Sequence, residues 1–235
     1  MDEAEFDKFA DEYRDMHAAS IRLSGEAPEY FAEYKIVDIA AELERTGAAA
    51  PRNVLDFGAG VGYSVPFFAR HVPTARVTCL DVSQKSLAVG AARHGRNAEF
   101  RHFDGSQIPY PDGTFDAALA SCVFHHIEHA EHVALLAELR RVLVPGGTLF
   151  VFEHNPWNPL TRHVVNSCEF DEHAVLVSAP TLRRRVQAAG FETTRLRYRI
   201  FFPHALRALR PAERQLAWLP LGAQYYVAAT KDTAA

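Results

Sequence analysis

From residue 53 onward, short apolar runs alternate with segments whose apolar residues recur every three or four positions. The short runs, which suit buried strands, are NVLDF, ARVTCLDVS, AEFRHFD, FDAALASCV and TLFVFEH. Strands that alternate with helices predict a parallel sheet with helices on both faces. The strands are almost continuously apolar, as a sheet covered on both faces requires. The pattern therefore predicts an α/β domain over residues 49–235.

The residues before this domain carry helical spacing but no strand pattern. One predicted helix is marked by Phe6, Phe9, Tyr13 and Met16. A second is marked by Ile36, Ile39, Ala40 and Leu43, and Gly47 is expected to end it. We predict that residues 1–48 form an N-terminal helical cap.

The second half of the domain contains two interruptions. An irregular stretch at about 155–179 begins with Pro156 and Pro159 and mixes aromatic with polar side chains. Long ordered loops on a rigid sheet usually carry binding, although a partly disordered connection is the alternative. A helical insertion at about 203–220 separates two further strand-like runs, FETTRLRYRIFF and QYYVAAT.

Charge and cysteine content narrow the class of protein. The formal net charge is -4, so no basic excess favours a nucleic-acid or membrane partner. The acidic start does not resemble a signal peptide, and no apolar run could span a bilayer. We therefore expect a soluble, cytoplasmic protein. The three cysteines form no CxxC pair, and Cys79 and Cys122 are expected to be small buried hydrophobes.

A glycine-rich turn joins the first strand of the domain to the helix that follows it. In VLDFGAGVGYS, the residues Gly58, Gly60 and Gly62 allow a tight turn and the close approach of a ligand. Backbone amides at the start of the next helix then face that ligand. Such a turn alone is also compatible with a purely structural role.

Carboxylates end three successive strands of the predicted sheet. Asp56, Asp81 and Asp104 close the first, second and third strands, whose carboxyl ends meet at the ligand-binding edge of an α/β sheet. Asp56 can receive an ammonium group or support the turn. Asp81 suits the two hydroxyls of a ribose, and Asp104 can reach an adenine amino group.

The order VLDFGAGVG, CLDVS, FDGSQIPYPDGTFDAALASCVFHH and VLVPGGTLFVFEHNP resembles the class I S-adenosylmethionine-dependent methyltransferases. The small-molecule, methyltransferase-11-like type, in the same broad group as ubiquinone-biosynthesis and sterol methyltransferases, is the most similar. The resemblance is strong over residues 50–155. It implies a seven-stranded Rossmann-like sheet, mostly parallel, in which QYYVAAT is the last, antiparallel strand. It also implies S-adenosyl-L-methionine as cofactor and methyl transfer to O or N of a small-molecule acceptor.

The resemblance further implies which residues contact each part of the cofactor. Those expected at the methionine portion are Asp56, Gly58, Ala59, Gly60, Gly62, Ser121 and Phe124. Those expected at the adenosine portion are Asp81, Val82, Asp104 and Gly105. Tyr13, in the opening FDKFADEY, is expected to close over the cofactor.

Three alternatives compete with this interpretation. A dinucleotide enzyme is disfavoured because its third glycine would fall at Tyr63, and because Asp56 would repel a phosphate. An RNA methyltransferase would need a basic surface or an added RNA domain. A non-catalytic module that only binds the cofactor stays possible.

Histidines at the ends of the fourth and fifth strands are the candidate catalytic residues. A base is useful when an acceptor hydroxyl or ammonium must lose a proton. We favour His154 as this base, and we place His125 and His126 in the pocket with catalysis as the alternative. The run HHIEHAEH lacks the HExxH motif, so no metal site is predicted. The expected assembly is a monomer or homodimer.

Overall fold

Seven strands form one sheet in the computed structural model, which describes residues 19, 21–168 and 171–233. The strands are β1 (Asn53–Phe57), β2 (Arg76–Asp81), β3 (Ala98–His102), β4 (Phe115–Ser121), β5 (Leu143–His154), β6 (Thr193–Arg199) and β7 (Gln224–Thr230). Their order is β3-β2-β1-β4-β5-β7-β6. The pairs among β1 to β5 are parallel, whereas β7 runs antiparallel to both β5 and β6. The predicted mostly parallel sheet with an antiparallel last strand is confirmed.

Helices connect the strands and cover the sheet. The α-helices are α1 (Pro28–Thr46), α2 (Val65–His71), α3 (Gln84–His94), α4 (His132–Val142), α5 (Pro159–Asn166), α6 (Ala179–Ala188) and α7 (Glu213–Leu216). Short 3₁₀ segments lie at Ile21–Ser24, Phe124–His126 and His204–Ala212. Among the described residues, no helix is both long enough and apolar enough to cross a membrane.

The core lies on both faces of the sheet because successive strand residues point in opposite directions. In β1, Val54 packs on the face that carries α1 and α2, whereas Leu55 packs on the opposite face. Both side chains are almost completely buried. This double coverage explains the continuous apolar runs of the central strands.

Helix α1 corresponds to the second predicted helix of the N-terminal region. It begins with Pro28 in its first turn and ends at Gly47, whose φ of 68° lies in the left-handed region. It packs against α2 on one face of the sheet. The first predicted helix, with Tyr13, lies outside the described residues.

The stretch after β5 is more regular than the sequence pattern indicated. It contains α5, whose N-cap Asn158 accepts a hydrogen bond from the Thr161 amide. Pro159, predicted to lie in irregular chain, instead occupies the first turn of α5, where a missing amide proton costs nothing. Strand β5 also starts earlier than predicted, since VPGG lies within it and a register shift against β4 accommodates these residues.

The strand order reverses between β1 and its two neighbours, β2 and β4. In open α/β sheets, ligands bind in the crevice at the carboxyl ends of the strands at such a point. The glycine-rich turn follows β1 directly, so the fold places it at this crevice.

Candidate functional site

The glycine-rich turn presents its backbone to open space at one position. Gly58 and Gly60 have φ values of 70° and 53°, which only glycine adopts without strain. A Cβ at Gly58 would lie 2.5 Å from Val123 Cγ2, so this glycine is required by packing. A Cβ at Gly60 would meet nothing within 4 Å. The turn therefore leaves room beside Gly60 for a ligand to approach the backbone.

Asp81 lies beside this open position at the end of β2. Its Oδ2 accepts a hydrogen bond from the Gly60 amide at 2.7 Å, and its Oδ1 accepts one from the Ser83 amide at 2.9 Å. A carboxylate has about four acceptor positions, so the same group can also receive ligand hydroxyls. The Asp81 carboxylate therefore links the end of β2 to the turn after β1, and it can still accept hydrogen bonds from the two hydroxyls of a diol.

The segment after β3 lies close to the segment after β2. A Cβ at Gly105, where φ is 89°, would lie 3.9 Å from Val82 Cγ1. Asp104 is exposed, and its Oδ1 accepts hydrogen bonds from the Ser106 amide and hydroxyl, both at 2.8 Å. These bonds hold the pKa of the Asp104 carboxyl below its usual range. The structure therefore brings Asp81, Val82 and Gly105 to the same edge of the sheet, with Asp104 next to them.

Asp56 occupies a different environment from the other two carboxylates. It is 3% exposed, and its Oδ2 accepts a short hydrogen bond from the Ser64 hydroxyl. Burial raises the pKa of the Asp56 carboxyl to about 7, against the opposing effects of Ser64 and Lys35. A cation bound nearby would favour its ionised form.

Lys35 enters the site from α1, and the sequence reasoning missed it. Its ammonium donates to Ser121 Oγ at 2.7 Å and lies 3.4 Å from Cys122 Sγ. The residue is only 6% exposed. One signal was available, because Lys35 stands four residues from both Phe31 and Ile39 and so shares their buried stripe.

Cys122 is a polar part of the site rather than the buried hydrophobe expected from its apolar surroundings. It is half-buried, follows β4 and has a φ of 58°, which is rare for a residue with a side chain. Burial raises the pKa of its thiol, but Lys35 and His154 outweigh this effect and bring the pKa to about 7. Cys79, in contrast, is completely buried in β2, as expected.

His125, which follows β4, lies between the carboxylates of Glu153 and Asp171. Its Nδ1 lies 2.5 Å from Glu153 Oε2, and its Nε2 lies 3.6 Å from Asp171 Oδ1. Burial alone would lower the pKa of His125, but Glu153 and Asp171 raise it to about 10. Burial also opposes ionisation of Asp171, yet the histidines hold the pKa of Asp171 well below its usual range. His126 Nε2 lies 3.4 Å from the same Asp171 oxygen.

His154 and Phe124 differ in burial: the His154 side chain is partly accessible, whereas the Phe124 ring lies in the core. His154 is half-buried at the end of β5, and its Nδ1 lies 3.4 Å from Gln224 Nε2. The ring of Phe124 is completely buried and stacks on Phe57 at 6.3 Å between centroids. Phe124 therefore supports the pocket from the core, while its backbone amide donates to Glu153 Oε1 at 2.8 Å.

The side chains present fit S-adenosylmethionine at both ends of the crevice. The open backbone at Gly60 and the carboxylate of Asp81 would suit a ribose, and Val82 and Gly105 lie near each other at the same edge of the sheet. Asp56, Lys35 and Ser121 offer charged and polar groups that would suit an amino-acid portion of such a ligand.

A family model described as a methyltransferase domain matches residues 54–147. Among curated relatives, the chain is 34% identical over 125 residues to a demethylmenaquinone methyltransferase of Thermus thermophilus, covering 52% of this chain and 53% of the relative. It is 33% identical over 135 residues to a ubiquinone/menaquinone biosynthesis C-methyltransferase of Ectopseudomonas mendocina, covering 54% and 52%. The chain thus spans about half the length of the curated relatives it matches.

A similar solved structure is that of an S-adenosylmethionine-dependent methyltransferase, a possible histamine N-methyltransferase, from Thermotoga maritima. The TM-score is 0.68 at 20% identity, over 98% of this chain and 99% of the other. This likeness concerns the fold. The fold and the matched domain together imply S-adenosylmethionine as the cofactor. Residues 54–147 match a methyltransferase domain, and the chain as a whole has the class I S-adenosylmethionine-dependent methyltransferase fold.

Proposed function

We propose that the protein transfers a methyl group from S-adenosylmethionine to O or N of a small-molecule acceptor. One observation supports this most strongly. The open glycine turn beside Asp81 and the half-buried groups Cys122 and His154 lie at the carboxyl ends of neighbouring strands of one sheet. The glycine turn and Asp81 suit the cofactor, whereas Cys122 and His154 suit an acceptor that must lose a proton.

We assign each part of the cofactor to the residues whose contacts and positions suit it. Asp81 binds the ribose hydroxyls, Val82 and Gly105 border the adenine, and Asp104 faces its amino group. Asp56 and the amides of the glycine turn bind the methionine portion, whose ammonium favours the ionised form of Asp56. Tyr13 stays a prediction, since it lies outside the described residues.

The cofactor supplies a methyl group on a good sulfonium leaving group, so the chain mainly has to align the acceptor and remove its proton. His154 and Cys122 interact with each other, and the charge of Lys35 favours the thiolate form of Cys122. A proton taken from the acceptor can therefore reside on the His154–Cys122 pair. His125 is held by Glu153 and Asp171 and is not positioned to act as this base.

Methylation of a ring carbon in a quinol is the second candidate. It is favoured by the names of the curated relatives, which act in demethylmenaquinone and ubiquinone/menaquinone methylation. The family match ends at residue 147, before α5 and the chain that follows it. A phenolic hydroxyl and the ring carbon beside it both become nucleophilic when the hydroxyl loses its proton, so the same base serves either reaction.

The test is transfer of a labelled methyl group from S-adenosylmethionine to a panel of phenols, quinols and amines, with products identified by mass spectrometry. We expect turnover of at least one acceptor, and a loss of about 10²- to 10⁴-fold in kcat for His154→Ala, the usual contribution of a general base.

The cofactor affinity of His154→Ala should stay at the wild-type value. His94→Ala is the matched control, since His94 ends α3, which packs against the edge strand β3. Cofactor binding without transfer to any acceptor would favour the non-catalytic module instead. Full activity of His154→Ala would remove His154 from the base role.

A further inference from the structure

We propose that His125, His126 and Asp171 form a binding site for one divalent transition-metal ion such as zinc. Each of the three offers one ligand atom, and the three atoms lie within 4.8 Å of one another. This site is separate from the cofactor assignment above, and neither depends on the other.

Two of the three distances between the candidate ligand atoms are close to those of a tetrahedral site, and the third is at most 4.8 Å. Zinc binds nitrogen and oxygen at about 2.0–2.2 Å, which places the ligands of a tetrahedron about 3.3–3.5 Å apart. The Nε2 atoms of His125 and His126 lie 3.6 Å and 3.4 Å from Asp171 Oδ1. Three protein ligands leave a fourth position for water or another ligand.

Glu153 orients His125 as the outer partner of a metal ligand usually does. Metal-bound histidines commonly donate their second ring N–H to a carboxylate. Glu153 Oε2 lies 2.5 Å from His125 Nδ1, which turns Nε2 towards Asp171. The other Glu153 oxygen accepts hydrogen bonds from the amides of Val123 and Phe124, at 3.1 Å and 2.8 Å. The carboxylate is therefore itself fixed in position.

Charge and burial favour a cation at this place. The side chains of Glu153 and Asp171 are 0% and 13% exposed, and buried carboxylates require compensation by a cation or a metal. Two imidazoles and one carboxylate suit zinc, iron or nickel, whereas magnesium and calcium prefer oxygen ligands throughout.

The chain also holds the third ligand in place. Asp171 follows α5, and the Val175 amide donates to the His125 carbonyl at 2.8 Å, which docks this segment on the end of β4. A metal ion would therefore bind a largely preformed site and would further fix the segment that carries Asp171. Sequence spacing could not indicate the site, because its ligands come from two distant segments.

The experiment uses full-length protein that has been treated with a chelator and desalted. Zn²⁺ is titrated by calorimetry and Co²⁺ by visible absorption, in the absence of S-adenosylmethionine, so the outcome is independent of methyl transfer. We expect one equivalent of Zn²⁺ to bind and to raise the Tm. The replacements His126→Ala and Asp171→Asn should each weaken binding by about 10-fold or more, the scale known even for outer partners of metal ligands.

The control variant His94→Ala should bind Zn²⁺ like the wild type, since it removes a histidine that ends α3, which packs against the edge strand β3. Mg²⁺ should give no comparable binding or rise in Tm. The proposal is overturned if Zn²⁺ and Co²⁺ show no saturable binding, or if His126→Ala and Asp171→Asn bind as tightly as the wild type. In that case the cluster is an ion pair network in which His125 is protonated between Glu153 and Asp171.

Discussion

Asp56 and Asp81 end paired strands, yet the protein places them in opposite environments. Asp81 is partly exposed and accepts two backbone hydrogen bonds. Asp56 is buried, and the pKa of its carboxyl rises to about 7. Asp56 therefore becomes fully charged only when a cation or a higher pH favours its ionised form.

The raised pKa of Asp56 predicts a pH-dependent cofactor affinity. Below about pH 7 the empty site holds a proton on Asp56, and a cationic ligand must displace it. The affinity for S-adenosylmethionine should therefore rise between pH 5.5 and 7, by at most about 10-fold per pH unit for a single proton. This window stays below the ordinary pKa of an α-amino group, about 7.7–8.0. Calorimetry across the window measures the effect.

Asp56→Asn is the matched variant for this prediction, because an amide oxygen can still accept the hydrogen bond from Ser64. Its affinity should vary less with pH than that of the wild type, and other titrating groups would affect both proteins equally. A wild-type affinity that does not change between pH 5.5 and 7 would contradict the role of Asp56.

At the scale of single elements, the turn after β1 combines packing with ligand access. The amides of Gly58 and Ala59 both donate to the Leu80 carbonyl, at 2.8 Å and 3.1 Å, so the turn is fixed to β2. Val123 fills the space beside Gly58, whereas the space beside Gly60 is open. The two glycines therefore have different functions within one turn.

Alanine substitutions separate these functions. Gly58→Ala should lower the free energy of unfolding by about 1–3 kcal/mol or more, because the new Cβ overlaps Val123. Gly60→Ala should lower the free energy of unfolding only by the strain of a positive φ, about 1–2 kcal/mol. Its affinity for S-adenosylmethionine, however, should fall at least as much as that of Gly58→Ala. Urea unfolding and calorimetry give the two quantities. Unchanged cofactor affinity in Gly60→Ala would mean that the open space is not the ligand site.

At the scale of the whole molecule, the sequence predicted the parts whose signals are local. The apolar runs and the acids at their ends predicted β1 to β5 and the positions of Asp56, Asp81 and Asp104. The seventh strand, antiparallel as predicted from the resemblance, is confirmed by its pairing with β5. These features depend on short stretches of chain.

Other parts could not be predicted because they depend on contacts between distant segments. The spacing of Lys35 from Phe31 and Ile39 indicates its burial, but its contacts with Ser121 and Cys122 exist only because α1 packs near the carboxyl ends of the strands. Asp171 meets His125 only because the segment after α5 docks on the end of β4. Periodicity describes which face of an element is buried, but not which polar group of another element lies against it.

The central claim, that this crevice binds S-adenosylmethionine through Asp81, is tested most directly by calorimetry. We predict one cofactor bound per chain and no comparable binding of NAD. The affinity of Asp81→Ala should fall by about 1–3 kcal/mol, the cost of losing charge-assisted hydrogen bonds. Asp112→Ala, which removes an exposed carboxylate paired with Arg141, should bind like the wild type. The absence of binding at millimolar cofactor, or an unchanged affinity in Asp81→Ala, would contradict the account.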